Sequence, residues 1–229
     1  MCGRFTLRTP ADLVAEVFRL STLPELSPHY NIAPTQQVAV VRHDPVRADR
    51  ELGFMKWGLV PSWADDPSIG NRLINARSET AASKASFRQA FKQRRCLVIA
   101  DGFFEWRKGG RIKEPYYISM KDDRPFGFAG LWEHWEREGR AIDSCTILTT
   151  DANELMQPIH DRMPVIISPE CYDLWLNPQV HEVAQLQPLL HPCDPAAMQA
   201  IPVSTLVNNV RNESAMCVEP VSRQRRLFE

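Results

Sequence analysis

Short apolar runs recur along most of the chain and are separated by turn-forming residues. The runs are rich in β-branched and aromatic residues and end at Gly, Pro, Asp or Asn, which is typical of β-strands. They do not alternate regularly with helices, so the pattern disfavours a βαβ parallel sheet. It predicts an α+β, β-rich fold with a curved, mostly antiparallel sheet or barrel-like core. The predicted strands are 37–43, 51–60, 96–100, 103–107, 115–120, 125–135, 144–150 and 164–168.

A few peripheral helices are predicted beside these strands. The first begins with Thr9 as the N-cap and Pro10 in the first turn, and its apolar residues share one face. Others are predicted over about 79–94, 169–176 and 180–190. Because no internal repeat, low-complexity tract or linker interrupts the pattern, we expect residues 1–229 to form a single domain.

The composition is that of a globular protein. Hydrophobic residues make up 44% and charged residues 24% of the 229 residues, which excludes wholesale disorder. No apolar run approaches the ~18 residues that a membrane span needs, and the N-terminus lacks the apolar centre of a secretory signal. We therefore expect a cytoplasmic, monomeric protein that is not bound to a membrane.

The charge is balanced overall but uneven along the chain. The formal net charge is −1, so nothing global indicates nucleic-acid binding. Residues 71–95, however, carry seven basic residues and only Glu79 as an acid. On charge alone, a solvated helix face is favoured over a phosphate-binding surface. The basic residues are Arg72, Arg77, Lys84, Arg88, Lys92, Arg94 and Arg95.

The six cysteines form no C-x-x-C pair, and the histidines form no H-x-x-x-H or H-E-x-x-H pattern. The sequence therefore predicts neither a metal site nor a cofactor. Five cysteines lie in or beside apolar runs and are predicted to be small buried hydrophobes. Cys2 differs, because it lies at the extreme terminus between Gly3 and Arg4, where burial is hard to arrange.

Cys2 has a distinctive chemistry if Met1 is removed, as aminopeptidases do when the second residue is small. The chain then begins with an α-amine (pKa ~7.7–8.0) and a thiol (pKa ~8.5) on adjacent carbons. With an aldehyde, the amine forms a Schiff base and the thiol closes it into a five-membered thiazolidine. The closure is intramolecular and therefore fast. The alternative is that the Met-Cys start is incidental.

Three further motifs carry candidate chemistry. Asn75 and Arg77 can orient a sugar hydroxyl and hold a phosphate, or they can be ordinary turn and surface residues before a helix capped by Ser78 or Thr80. Glu105 lies among large aromatic residues after a predicted Asp-Gly hairpin, where lost solvation would raise its pKa. Simple alternation would instead point it to water.

His160 lies in a polar loop before a strand, where it could act as a proton shuttle, although a lone loop histidine is more often a surface residue than a catalytic one. Trp57, near the end of the predicted strand 51–60, and Trp63, in the predicted loop that follows, are also candidates. Aromatic rings in such positions can stack on single-stranded bases, although tryptophan is more often part of the core.

Eight motifs occur in order along nearly the whole chain. In this order and at these spacings they resemble the SRAP family (SOS-response-associated peptidases), the abasic-site processing proteins of bacteria and eukaryotes. One departure is Ala100, where we would expect proline, and it affects a strand end rather than the chemistry. The motifs are MCGRF at the start, YNIAPTQ at 30–36, WGLVPSW at 57–63, LINARSET at 73–80, ADGFFEW at 100–106, TILTTDAN at 146–153, IHDRMPVI at 159–166 and VSTLVNNVRNES at 203–214.

The resemblance implies a β-rich α+β fold with a positively charged channel for single-stranded DNA. It implies that Cys2, once N-terminal, forms a thiazolidine crosslink with the ring-opened sugar of an abasic site and shields the lesion from strand cleavage. Asn75 would bind the opened sugar, Glu105 would move protons at the amine and the sugar, and His160 would assist ring opening and Schiff-base chemistry. Weak lyase activity and autocatalytic removal of Met1 are also implied.

The resemblance further implies which residues contact DNA. Arg4 and Arg77 match positions that contact phosphates, and Trp63, Trp106 and Thr149 match positions that line the channel. Two alternatives stay open: an N-terminal-nucleophile amidohydrolase that uses Cys2 on amides, and a non-covalent single-strand-binding module. The covalent interpretation fails if Cys2 is sealed beneath packed side chains with no cationic groove leading to it.

Overall fold

The computed structural model describes residues 2–44, 49–107 and 113–221. The strands occupy most of the predicted positions. They are β1 (Phe5–Leu7), β2 (His29–Ile32), β3 (Gln37–Asp44), β4 (Asp49–Trp57), β5 (Asn75–Arg77), β6 (Arg95–Ala100), β7 (Gly102–Arg107), β8 (Glu114–Met120), β9 (Phe126–Arg137), β10 (Arg140–Asp151), β11 (Arg162–Pro164), β12 (Ile166–Ile167) and β13 (Met198–Pro202).

The helices are short. They are α1 (Ala11–Phe18), α2 (Ser78–Ala81), α3 (Arg88–Gln93), α4 (Tyr172–Leu176) and α5 (Val183–Leu186). Single 3-10 turns lie at Pro67–Arg72, Pro169–Cys171, Gln187–Leu189, Pro195–Ala197, Thr205–Asn208 and Ala215–Cys217. None of the helices in the described part of the chain has both the length and the apolar character to span a bilayer.

Five strands close into a barrel. β4 pairs with β3, β3 with β6, β6 with β9 and β9 with β10, all antiparallel, and a short parallel pairing of β10 with β4 closes the ring. Every residue of β6 is buried, which is what a strand needs when both of its faces are covered. The α+β fold with a barrel-like core is therefore confirmed.

A second, antiparallel sheet has the strand order β13-β8-β7-β1-β2. β1 lies inside this sheet, and Phe5 pairs with Ile32 on one side and with Phe103 on the other. The Phe5 ring also contacts Trp57 of the barrel, with the ring centroids 5.1 Å apart. The first strand thus joins both sheets, and this placement carries the N-terminus into the interior.

The predicted Asp-Gly hairpin at residues 101–102 is wrong. β6 pairs with β3 and β9, whereas β7 pairs with β1 and β8, so the chain changes sheets at Asp101. A Cβ on Gly102 would lie only 2.1 Å from the Tyr117 hydroxyl oxygen. The glycine is therefore needed for close packing and not for a hairpin turn.

Three helix predictions also need correction. The predicted helix over 79–94 is two helices, α2 and α3, with turns between them, and the region 180–190 contains only α5 and a 3-10 turn. The N-cap of α1 is Pro10 and not Thr9. Thr9 instead donates its backbone N–H and its hydroxyl to Asp101 Oδ2, at 2.8 and 3.0 Å.

Asp101 fastens the first strand to the rest of the fold. The carboxylate is buried and also accepts the Arg8 N–H at 2.6 Å and the Thr6 hydroxyl at 2.5 Å. Asp101→Ala leaves these donors without their partner, so we expect the free energy of unfolding to fall by about 2–4 kcal/mol in urea titrations. The matched control Asp65→Ala removes only a surface ion pair with Arg137 and should change it by less than about 1 kcal/mol. Equal effects of the two variants would contradict this role.

Candidate functional site

Cys2 is fully buried and belongs to the main hydrophobic core. We expected this residue to escape burial, and that prediction is wrong. The reason is the path of β1, because the Phe104 N–H donates to Arg4 O at 3.0 Å and draws residues 2–4 alongside β7. Cys2 is thus buried in the chain whose residue 1 is still attached to the Cys2 nitrogen.

Asn75 holds the Cys2 backbone. It lies in β5, where it pairs with Ile147 of β10, and its Nδ2 donates to Cys2 O at 2.8 Å. Its Oδ1 is buried and accepts no hydrogen bond from the described residues. A buried acceptor without a donor is costly, so this oxygen is suited to receive a hydroxyl from a ligand.

Glu105 is brought next to the Cys2 thiol. It lies in β7 and is only 3% exposed. Its side chain is therefore buried, as the aromatic neighbours predicted, and does not point to water. Burial raises the pKa of the Cys2 thiol well above its ordinary value, and the negative charge of Glu105 raises it further. The thiol is therefore protonated at neutral pH and has a carboxylate beside it.

A cavity of about 330 Å³ connects Glu105 with His160, and its lining is completed by Trp106, Lys113 and Asn208. His160 Nδ1 accepts the Arg162 N–H at 3.0 Å and lies 2.9 Å from Asp161 Oδ1. The Nδ1 side of the imidazole ring therefore interacts with residues of the same loop. The ring and the carboxylate thus line the same cavity and are residue types that can transfer protons to a ligand there.

The His160 loop is fixed by a polar network that the sequence did not reveal. Arg162 donates to Glu79 Oε1 and Asp151 Oδ1, both at 2.7 Å, and to Thr149 O at 2.5 Å. Burial alone would raise the pKa of Glu79, but the hydrogen bonds from Arg162 lower it below its ordinary value. Glu79 is thus anionic at neutral pH and anchors the arginine.

Arg77 and Trp63 are at the surface. Arg77 is exposed directly before α2, and the Trp63 side chain is 55% exposed in the loop after β4. Both can therefore meet an extended ligand. Their contacts with DNA stay predictions.

Thr149 is fully buried and its hydroxyl points toward Ala76 O, 3.5 Å away. The side chain is enclosed at the point where β10 pairs with β5 and β11. Its contact with DNA stays a prediction. Its backbone oxygen, as the acceptor for Arg162, is the part that serves the site.

Arg4 and Trp106 are partly buried and engaged within the protein. The Arg4 guanidinium donates to Asn31 Oδ1 at 2.7 Å and to Val207 O at 2.8 Å. Trp106 Nε1 donates to Asn208 Oδ1 at 2.7 Å. A phosphate contact of Arg4 stays a prediction and would have to use its remaining N–H groups.

The basic segment 71–95 is not one solvated helix face. Arg95 is buried and donates to backbone oxygens of residues 91, 92, 175, 177 and 180, and burial lowers its pKa to about 10. Arg94 forms an ion pair with Glu133 at 2.7 Å. Two of the seven cations therefore stabilise the fold.

The other candidate features lie away from this cavity. A larger cavity of about 620 Å³, whose lining includes Phe126, Ile167 and Cys193, contains none of the predicted site residues.

Of the five cysteines that were predicted to be buried, Cys96, Cys145 and Cys217 are buried, and the other two are partly exposed. In residues 2–44, 49–107 and 113–221, no group of His, Cys, Asp and Glu side chains is arranged to hold a metal ion.

The whole chain and its site can be compared with known proteins. The SOS response associated peptidase (SRAP) family matches residues 1–210. The chain belongs to the SRAP family. The abasic site processing protein YoqW of Bacillus subtilis is 44% identical to this SRAP chain over 224 residues, which cover 96% of the chain and 99% of that relative. The abasic site processing protein YedK of Escherichia coli is 32% identical, over 96% of the chain and 100% of that relative.

Solved structures agree with this membership. A protein from Bacteroides thetaiotaomicron superposes on the SRAP chain with a TM-score of 0.87 at 28% identity, over 96% of this chain and 100% of that one. A protein from Bordetella bronchiseptica gives a TM-score of 0.77 at 25% identity, over 89% and 100%. The described residues therefore have the fold of the family.

Proposed function

We propose that this SRAP protein recognises abasic sites in single-stranded DNA and links itself covalently to them through Cys2. The observation that carries the proposal is the hydrogen bond of Asn75 Nδ2 to Cys2 O, which leaves the unused Asn75 Oδ1 close to Cys2. The charge of Glu105 acts on the thiol of the same cysteine. The names of the relatives, which are abasic site processing proteins, support the same substrate.

The reaction joins an aldehyde to an aminothiol. The free α-amine of Cys2 attacks C1′ of the ring-opened deoxyribose, and loss of one water gives a Schiff base. The Cys2 sulfur then adds to the same carbon, and the thiol proton passes to the nitrogen. The product is a thiazolidine, and only one water leaves overall. The advantage of the two neighbouring nucleophiles is that ring closure is intramolecular.

The surrounding residues supply the proton transfers. An abasic sugar is mostly a closed hemiacetal, so its opening needs an acid and a base near C1′. Glu105 and His160 line one cavity and are the residue types for these transfers. Glu105, whose charge acts on the Cys2 thiol, also takes the thiol proton during ring closure. Asn75 Oδ1 accepts a sugar hydroxyl.

The proposal requires removal of Met1, since an acylated nitrogen cannot form the Schiff base. It also requires that removal gives the sugar access to Cys2, which is buried while residue 1 is attached. The cavity at Glu105, with the exposed Lys113 on its lining, is the proposed route of approach. Autocatalytic removal of Met1 is part of the proposal and fits the family name.

The Schiff base has a second outcome. Attack of the amine at C1′ can lead to β-elimination, which nicks the strand. Capture of the Schiff base by the thiol competes with this step. We therefore propose that stable crosslinking and weak lyase activity are two outcomes of one intermediate, and that the crosslink shields the lesion.

The alternative is an amidohydrolase that uses Cys2 on amide substrates. It shares the free cysteine and differs in the electrophile. A stable product with abasic single-stranded DNA and no turnover of amides would exclude it.

Denaturing electrophoresis tests the proposal. After incubation with a single-stranded oligonucleotide that contains one abasic site, the protein is expected to give a slow-migrating adduct. Protein that migrates freely but binds DNA under native conditions would instead identify a non-covalent binding module.

Arg77 is expected to contribute a phosphate contact to DNA binding. Arg77→Ala should weaken binding to single-stranded DNA and reduce the slope of log K against log salt concentration by about 0.7, as loss of one contact requires. Fluorescence anisotropy across a salt series measures both quantities. Arg140→Ala, which removes another exposed arginine at the β9–β10 hairpin, serves as the control and should leave the slope unchanged. An unchanged slope for Arg77→Ala would exclude the contact.

A further inference from the structure

One wall of the cavity is a hydrogen-bonded pair of side chains. Trp106 Nε1 donates to Asn208 Oδ1 at 2.7 Å, and both residues line the cavity with Glu105 and His160. An indole has a single N–H donor. The Asn208 amide therefore fixes the direction in which the N–H edge of Trp106 points.

The backbone on both sides of Asn208 is held in place by a buried side chain. Asn31 is fully buried, and its Nδ2 donates to the backbone oxygens of Val207, Asn209 and Asn212 at 3.3, 3.0 and 2.9 Å. These acceptors surround Asn208 in the chain. One buried side chain thus determines the path of the loop 207–212.

Arg4 joins this loop to the N-terminal segment. Its guanidinium donates to Asn31 Oδ1, to Val207 O and, at 3.4 Å, to Asn208 O. It also lies over the Trp106 ring, 5.9 Å from the centroid. The loop, the indole and the residues next to Cys2 therefore form one connected polar assembly.

We propose that Asn208 is a positioning residue that holds the Trp106 indole as a stacking platform for the nucleotide beside the lesion. The inference rests on the proposed function. An aromatic ring binds a base through its face, and the Trp106 ring can turn about two side-chain bonds. The hydrogen bond from Trp106 Nε1 to Asn208 fixes the N–H edge of the indole, so the ring face has one orientation before DNA binds. This preorganisation lowers the DNA concentration needed for half-maximal crosslinking and leaves the chemical step unchanged.

A double-mutant cycle tests the proposal. The variants are Asn208→Ala, Trp106→Phe, which keeps a ring but lacks the N–H donor, and the two combined. Two quantities are measured: the crosslinking rate against the concentration of abasic oligonucleotide, and the anisotropy of an undamaged oligonucleotide of the same sequence. Asn208→Ala should raise the half-saturating DNA concentration about three- to tenfold, the effect of one lost hydrogen bond, with the same maximal rate.

The combined variant decides the mechanism. In the Trp106→Phe background, Asn208→Ala should have no further effect on either measurement, because its partner is already gone. Effects that multiply, or a fall in maximal rate at an unchanged half-saturating concentration, would overturn the proposal. A merely structural role of Asn208 would give the same loss in both backgrounds.

The control is the neighbouring amide. The Asn209 side chain accepts only the exposed Arg211 N–H, at 3.0 Å, among the hydrogen bonds of the described residues. Asn209→Ala should match the wild-type protein. If the wild-type protein gives no adduct, the proposed function fails, and the anisotropy cycle still decides whether Asn208 acts through Trp106.

Discussion

Replacing Cys2 by alanine abolishes the stable adduct with abasic single-stranded DNA while leaving DNA binding measurable. The alanine variant retains the α-amine after Met1 removal, so it can still form a reversible Schiff base. It lacks the sulfur that closes the ring. We expect loss of the band that survives denaturation, and an increased fraction of nicked strand, on a denaturing gel with labelled oligonucleotide.

Two comparisons make this result specific. Cys171→Ala removes a partly exposed cysteine that lies elsewhere and should crosslink as the wild type does. Cys2→Ser keeps the size of the side chain but supplies a much weaker nucleophile, so its adduct should form more slowly and in lower yield. A Cys2→Ala adduct as durable as that of the wild type would mean that the nucleophile is a different residue.

Replacing Glu105 by glutamine slows crosslinking at neutral pH by about 100-fold or more, the usual contribution of a positioned acid–base group. The Cys2 thiol gives up its proton during ring closure, and the proposal assigns that proton to Glu105, whose charge acts on the thiol. Glutamine cannot accept that proton. Single-turnover rates over a pH series measure the effect.

The direction of the pH dependence follows from the same proton. In the glutamine variant, ring closure depends on the thiolate fraction of Cys2, so the rate should rise with increasing pH. Glu114→Gln is the matched control, because Glu114 is a partly exposed glutamate on the neighbouring strand β8 that pairs with Arg107. A Glu105→Gln variant with wild-type rates at every pH would remove Glu105 from the mechanism.

The class of fold was predictable because the strand pattern is local. β6 was predicted at 96–100 and is Arg95–Ala100, and β3 differs from its prediction by one residue. The pairing of the strands is not local, so Asp101-Gly102 resembled a hairpin although it joins two sheets. The helix over 79–94 is interrupted partly because the Ser83 hydroxyl donates to Thr80 O at 3.1 Å and competes with the helical backbone.

The residue types of the site were predictable, but its geometry was not. Motifs indicated Cys2, Asn75, Glu105 and His160. The fold joins Asn75 to Cys2 by a hydrogen bond, brings the charge of Glu105 to act on the thiol, and places Glu105 and His160 on the lining of one cavity. The burial of Cys2 depends on the position of β1 between two strands that are distant in sequence. Similarly, the Arg4 contact with Val207 spans 203 positions, and no short-range pattern reports such a contact.

Intact mass spectrometry of the purified adduct tests the central claim most directly. The account predicts one species whose mass is that of the chain without Met1 plus the abasic oligonucleotide minus one water, with the modification on residue 2 after digestion. An adduct that retains Met1, or that maps to any other residue, would contradict it.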